Sequence, residues 1–191
     1  MNEYLIGRNQ VTYLSQKDEL LLQTFSIVAV LGALQENEFL NSEFFSRMKA
    51  MPGTKELIEQ TGLGNQGHSL ISLYAMLVVP WEYFAEDPAF SSDFDGLDAW
   101  IESRAPKTIS NYNYKSRPSH GHQYCRHIRN AVAHGSVGFR AHDVVIFEDK
   151  SRNQKFYMEL PLTDLNEFVN TKLLSIHLKV IKAINAKTSI P

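Results

Sequence analysis

QYCRHIRNAVAHGSV, residues 123–137, is the stretch from which the rest of the chain is read. Tyr124, Ile128, Ala131 and Val132 fall at i, i+4, i+7 and i+8, the spacing of one core-facing stripe on an α-helix. Gly135 follows the last residue of that stripe and suits the position just past a helix end, where a positive φ closes the turn. The opposite side carries His120, His127 and His134 at seven-residue intervals, with Asn130, Arg126 and Arg129 among them. A solvated helix face is ordinarily built of Glu and Lys. Histidine and arginine are instead the side chains that move protons near neutral pH and grip phosphate oxygens.

Charge is distributed unevenly around this helix. From 103 to 142 there is no Asp or Glu, while Arg104, Lys107, Lys115, Arg117, Arg126, Arg129 and Arg140 give the segment a formal charge of +7. The remainder holds 12 basic and 21 acidic residues, or −9, which accounts for the net −2 of the chain. A local positive field within an acidic body suits a polyanionic partner; the preference for cations near helix C-termini explains part of the same pattern. Residues 107–119, KTISNYNYKSRPS, read as a basic and aromatic loop. In it Tyr112 and Tyr114 would stack on unpaired bases while Lys115 and Arg117 neutralise phosphates. Loop tyrosines also pack on the domain beneath them, and composition does not separate the two.

At 191 residues, with 43% hydrophobic and 21% charged, the chain is long enough for one domain, 1–191, around a sizeable core. The single cysteine, Cys125, forms no internal disulfide, and with no basic n-region before an apolar h-region at the N-terminus no signal peptide is expected. The apolar runs at 26–34 and 73–80 fall short of the roughly 20 residues of a membrane span. The expectation is a cytoplasmic protein with no membrane partner.

In chain order, Ser15 with Asp18 three residues on resembles a capping box and opens a helix to about residue 37. Leu20, Leu21, Phe25, Val28, Leu31 and Leu34 give that helix a wide apolar face, as expected of a central member of a bundle. Short helical pieces follow, stopped by Pro52-Gly53 and by Gly62. A second long helix spans 66–85, with a kink near Met76 or a helix end expected because Pro80 lacks an amide donor. His68 at its start reads as structural. Residues 139–147 and 155–160 are rich in β-branched and aromatic side chains around a polar turn, which predicts a hairpin. The last helix shows the stripe Leu165, Phe168, Leu173, Ile176, Val180 and Ile184.

The histidines invite a metal, and helix geometry argues against one. Residues seven apart stand about 10 Å apart along a helix, whereas zinc ligands each lie about 2.1 Å from the ion. No metal and no cofactor is expected. Walker, nucleophile-elbow and glycine-rich phosphate-loop patterns are also missing.

The core of the helix, Arg129-Asn130-Ala131-Val132-Ala133-His134, is R-N-x-x-x-H. It resembles the signature of the HEPN superfamily, and the glycine stop, hairpin and final amphipathic helix resemble a plasmid- and phage-associated branch. The resemblance implies a mainly α helical bundle with a small β-hairpin between the motif helix and the last helix. It further implies a homodimer and, in many members, metal-independent cleavage of RNA. The residue chemistry is compatible with that. Attack by a 2′-OH needs a base, an acid and positive charge on the phosphate. His134 would act as acid or base, Arg129 would stabilise the phosphate, and Asn130, one turn before His134, would orient the imidazole. Arg126 and His127 would contact RNA, with His127 a weaker candidate for the second proton transfer. Arg129 lies about 140° around the helix from His134 at about 100° per residue, so a twofold partner would help bring both groups onto one phosphate. The partners expected are single-stranded RNA, a second copy and, for a toxin or antiphage effector, an antitoxin. The alternative is a non-catalytic HEPN-like module that binds RNA, a nucleotide or a protein. In that case Arg129 and Asn130 anchor neighbouring helices and His134 caps the helix end.

Overall fold

The computed structural model describes residues 2–5, 11–105, 107–110, 123–140, 143–151 and 154–188. Lys115, Arg117, Tyr112 and Tyr114, with His120, lie outside the described residues.

A short antiparallel pair, β1 (Asn2–Leu5) and β2 (Val11–Leu14), leads into α1 (Gln16–Glu36). The Ser15 hydroxyl accepts from the Asp18 amide at 3.1 Å and donates to the Asp18 carboxylate at 2.6 Å, so the expected cap is present. The expectation of a central helix is corrected. One side of α1 faces the body through buried Leu21 and half-buried Phe25 and Val28. The other side presents Leu20, Ile27 and Val30 at 48%, 59% and 57% exposure. With apolar residues on both sides, 21 residues and a mean hydropathy of 1.2, α1 has the length and composition of a membrane-crossing helix by those two measures alone. Its inward face packs on the protein.

After α2 (Glu43–Arg47) and α3 (Thr54–Thr61), the latter closed by Gly62 at φ 71°, comes α4 (Gln66–Leu73). It runs straight into a π-helical turn, Tyr74–Val78, and then α5 (Trp81–Glu86). The kink predicted from Pro80 takes this form. The Val79 amide reaches back five residues to the Tyr74 carbonyl at 3.0 Å. Pro80 offers no N–H to the Met76 carbonyl one turn back, and buried His177 donates to that oxygen from Nε2 at 2.7 Å. The donation fixes the proton on Nε2, and burial holds the imidazole pKa below its ordinary value.

Next come α6 (Ser91–Arg104), β3 (Lys107–Ser110) and α7 (Gln123–Ala133). The expected hairpin is part of a larger, four-stranded antiparallel sheet in the order β3-β6-β5-β4, with β4 (Val137–Arg140), β5 (Val144–Ser151) and β6 (Gln154–Pro161). Residues 107–110, expected in a loop, pair with β6, Lys107 opposite Glu159. The strand break comes at Asp143, whose φ of 57° turns the chain between β4 and β5. Alternation then sorts the faces: Val145, Phe147, Phe156, Met158 and Leu160 are buried toward the helices.

The chain ends with α8 (Leu162–Glu167), a second π turn (Phe168–Leu173) and α9 (Leu174–Thr188). All six residues of the predicted stripe are at most 2% exposed. The stripe contains its own anomaly: Phe168 to Leu173 is a five-residue step, which in an α-helix rotates the side chain about 140° off the face. The π turn absorbs the extra residue, its wider circuit closed by the Leu174 amide on the Val169 carbonyl. The fold is mainly helical with a small antiparallel sheet, the composition predicted.

Candidate functional site

The motif helix α7 is wedged between β5 on one side and α6 and the first π turn on the other. Its fully buried residues are Cys125, His127, Ile128 and Ala131; Tyr124 and Val132 of the predicted stripe are half-buried. The helix is thus covered on two sides, and the buried arc takes in His127. Cys125 is anchored by its amide, which donates to Asp98 at 2.9 Å, and burial first, then Asp98, pushes its thiol pKa well up. That makes it a packed sulfur rather than a nucleophile.

The C-terminus closes as a Schellman turn. The Ser136 amide bonds the Ala131 carbonyl at 2.8 Å and the Gly135 amide bonds Val132 at 3.2 Å. Gly135 sits at φ 65°, where a side chain would be strained. His134 therefore occupies the last, half-helical position and is exposed. Its amide bonds the Asn130 carbonyl at 2.9 Å.

The main departure from expectation is at His127. Predicted on the polar face and in contact with RNA, it is 0% exposed, stacked on Phe156 at 4.2 Å and 11°. Its Nδ1 and the Asp149 carboxylate are 2.7 Å apart. The reason is tertiary: β5 and β6 lie across this side of α7. Burial lowers the His127 pKa most strongly, the Asp149 hydrogen bond opposes it, and the Arg126 charge adds to the lowering. The same Asp149 oxygen accepts from Asn130 Nδ2 at 3.0 Å, and Asn130 Oδ1 accepts from Arg129 Nη1 at 3.0 Å. One carboxylate thereby fixes an imidazole, an amide and, through the amide, a guanidinium. Asn130 is committed to this chain and not to His134, which corrects the expected i, i+4 orientation of the imidazole.

Arg129 and His134 are in a different situation. Arg129 is half-buried, its Nε has no hydrogen-bond partner, and no carboxylate lies within ion-pair distance of its guanidinium among the described residues. The His134 ring likewise has no partner among them. Elsewhere in the acid-free segment the fold supplies carboxylates from outside: Glu159 sits 2.9 Å from Arg140, and Asp164 lies 3.5 Å from Arg104. The formal +7 is partly neutralised, whereas Arg129 is bonded only to a neutral amide among the described residues. Arg126 is half-buried on the same helix. Groups of three or more His, Cys, Asp or Glu able to hold a metal are absent among the described residues.

Sequence reasoning missed Asp149. The signal was present: Val145, Phe147 and Asp149 alternate on one side of a strand, so a reading at period two sets a carboxylate on the core face beside two large apolar residues.

No curated protein and no solved structure matches the chain. A family model described as HEPN pEK499 p136 matches residues 13–182. That span runs from β2 into α9 and takes in the Arg129–His134 motif, the glycine stop, the sheet and both π turns. The chain belongs to this plasmid-associated branch of the HEPN superfamily.

Proposed function

We propose that this protein is a metal-independent endoribonuclease of HEPN type that works as a homodimer, with the motifs of two copies lining one cleft. The observation that carries this reading is the division within the motif. His127 and Asn130 are locked to Asp149, whereas Arg129 and His134 keep polar groups without protein partners among the described residues. A guanidinium held by a neutral amide retains its full charge for a phosphate. An exposed imidazole at a helix end can exchange a proton with a bound 2′-OH or 5′-oxygen.

Burial of His127 leaves His134 as the one imidazole of α7 and its C-terminus that faces solvent. Transesterification needs both an acid and a base, so a second copy supplies the other His134. The outward side of α1 supports such pairing. Leu20, Gln23, Ile27, Val30 and Leu34 follow a 3.5-residue repeat, and no charged residue occurs from 20 to 35. A twofold-related α1 meets this seam without like-charge repulsion. In the cell such an activity is that of a toxin or antiphage effector, restrained by an antitoxin. Tyr112, Tyr114, Lys115 and Arg117, which lie outside the described residues, would hold single-stranded RNA.

The test is cleavage of varied RNAs in EDTA. Products should carry a cyclic phosphate and a free 5′-OH, and DNA of the same sequence should survive. His134→Ala should slow the reaction by roughly 10²–10⁴, the range for losing one general acid or base. If RNA stays intact, or His134→Ala cuts as fast as wild type, the same residues form a binding module and not a catalyst.

A further inference from the structure

On the inward side of α1 a cleft of about 360 Å³ opens between α1, the start of α4 and the two π turns, and none of its lining residues comes from α7. Its size falls within the roughly 300–1,000 Å³ of small-molecule sites. Phe25, Val28 and Gly32 of α1, Met76 of the first π turn, and Val169 and Leu174 at the second supply an apolar body. The open floor is at Gly32, where an added Cβ would meet nothing within 4 Å. The polar groups are Gln35, Glu36, His68 and Asn170, and neither Lys nor Arg lines the space.

Two features mark this cleft as more than a packing gap. Both π turns of the described chain contribute to its wall, Met76 from one and Val169 with Asn170 from the other. A π turn is a rare departure from α geometry that recurs at functional sites. Here two of them, nearly a hundred residues apart in sequence, converge on one space. Second, His68 Nε2 is buried without a hydrogen-bond partner. A buried polar atom left unsatisfied costs about 1–3 kcal/mol, so such groups are normally met by a partner. His68 lines the cleft, burial holds its pKa below the ordinary value, and a small turn of the ring would bring Nε2, now closed to solvent, to a ligand seated there.

We propose that this cleft binds a small amine with an apolar, ring-sized body, its head group meeting His68, Glu36 and Asn170. The Glu36 carboxylate and the missing cations set it apart from an anion site, and therefore from the phosphate chemistry of Arg129 and His134. The proposal is independent of RNA cleavage, because its readout is binding.

The experiment is titration of the full chain with tryptamine, followed by calorimetry and by amide chemical shifts. Indole-3-propionate serves as the anionic control with the same ring. Tryptamine should saturate with its largest shifts at residues lining the cleft. Indole-3-propionate should bind at least about tenfold more weakly, a difference of about 1.4 kcal/mol. Gly32→Leu, whose Cβ meets nothing within 4 Å and whose side chain would occupy the floor, should abolish binding while leaving the circular dichroism and RNA cleavage of wild type. His68→Phe should weaken it and remain folded, since it removes an unsatisfied atom. No saturable binding of tryptamine, equal binding of the anion, or undiminished binding to a folded Gly32→Leu variant would each overturn the proposal.

Discussion

Asp149 is the residue on which the motif's geometry depends. Its carboxylate meets His127 Nδ1 and Asn130 Nδ2, and the Asn130 amide in turn fixes Arg129. Removing it takes this acceptor from a fully buried imidazole and a part-buried amide. Asp149→Ala should therefore lower stability by about 1–3 kcal/mol, read as a shift of the urea midpoint. Asp149→Asn keeps an acceptor oxygen and should cost less. If the alanine variant unfolds at the wild-type midpoint, Asp149 does not position the motif. Gly135 is the other residue with a backbone duty here, since its positive φ ends α7 at His134.

Among the elements, the last helix shows how a sequence irregularity becomes structure. Its apolar stripe keeps one face across a five-residue step because the turn Phe168–Leu173 widens to hold the extra residue. Deleting Asn170 reduces the step to four and lets the helix run on as α with the stripe intact. This variant should melt within a few degrees of wild type. Deleting Ser175 instead turns Ile176, Val180 and Ile184 by about 100° relative to Phe168. It should lower Tm by more than about 5 °C, because several buried side chains lose their places. Thermal unfolding followed at 222 nm distinguishes the two; equal losses would mean that the π turn is not an insertion into a regular helix. The first π turn arises differently. There Pro80 removes a donor, and His177 replaces it at the Met76 carbonyl.

For the whole molecule, the unresolved energetic feature is α1, apolar on two opposite sides and covered on one. A second copy is the partner proposed for its uncharged seam. Sedimentation of wild type should give about twice 21.8 kDa. Ile27→Asp places a charge at the middle of the seam, where it would meet its own twofold image. In the proposed dimer, where each cleft would draw on both copies, it should shift the protein to monomer and abolish RNA cleavage together. A dimer that survives this substitution would move the interface elsewhere; a monomeric variant with undiminished cleavage would remove the shared cleft.

What the amino-acid order determined by itself was local and periodic. The Ser15 cap, the Gly135 stop, the disturbance before Pro80 and the stripe from Leu165 to Ile184 each follow from a few neighbouring residues, and each is found in the fold. The R-N-x-x-x-H motif and its helix were legible for the same reason. Tertiary structure alone decided what faces what. Periodicity on α7 could not show that a sheet would lie over His127, nor that Asp149, nineteen residues beyond Asn130, would turn a polar histidine into a buried one. It could not show that α1 has an inside and an outside either, because both of its sides are apolar. Residue spacing reports the face of an element, whereas burial depends on which other elements arrive there, through contacts that are distant in sequence.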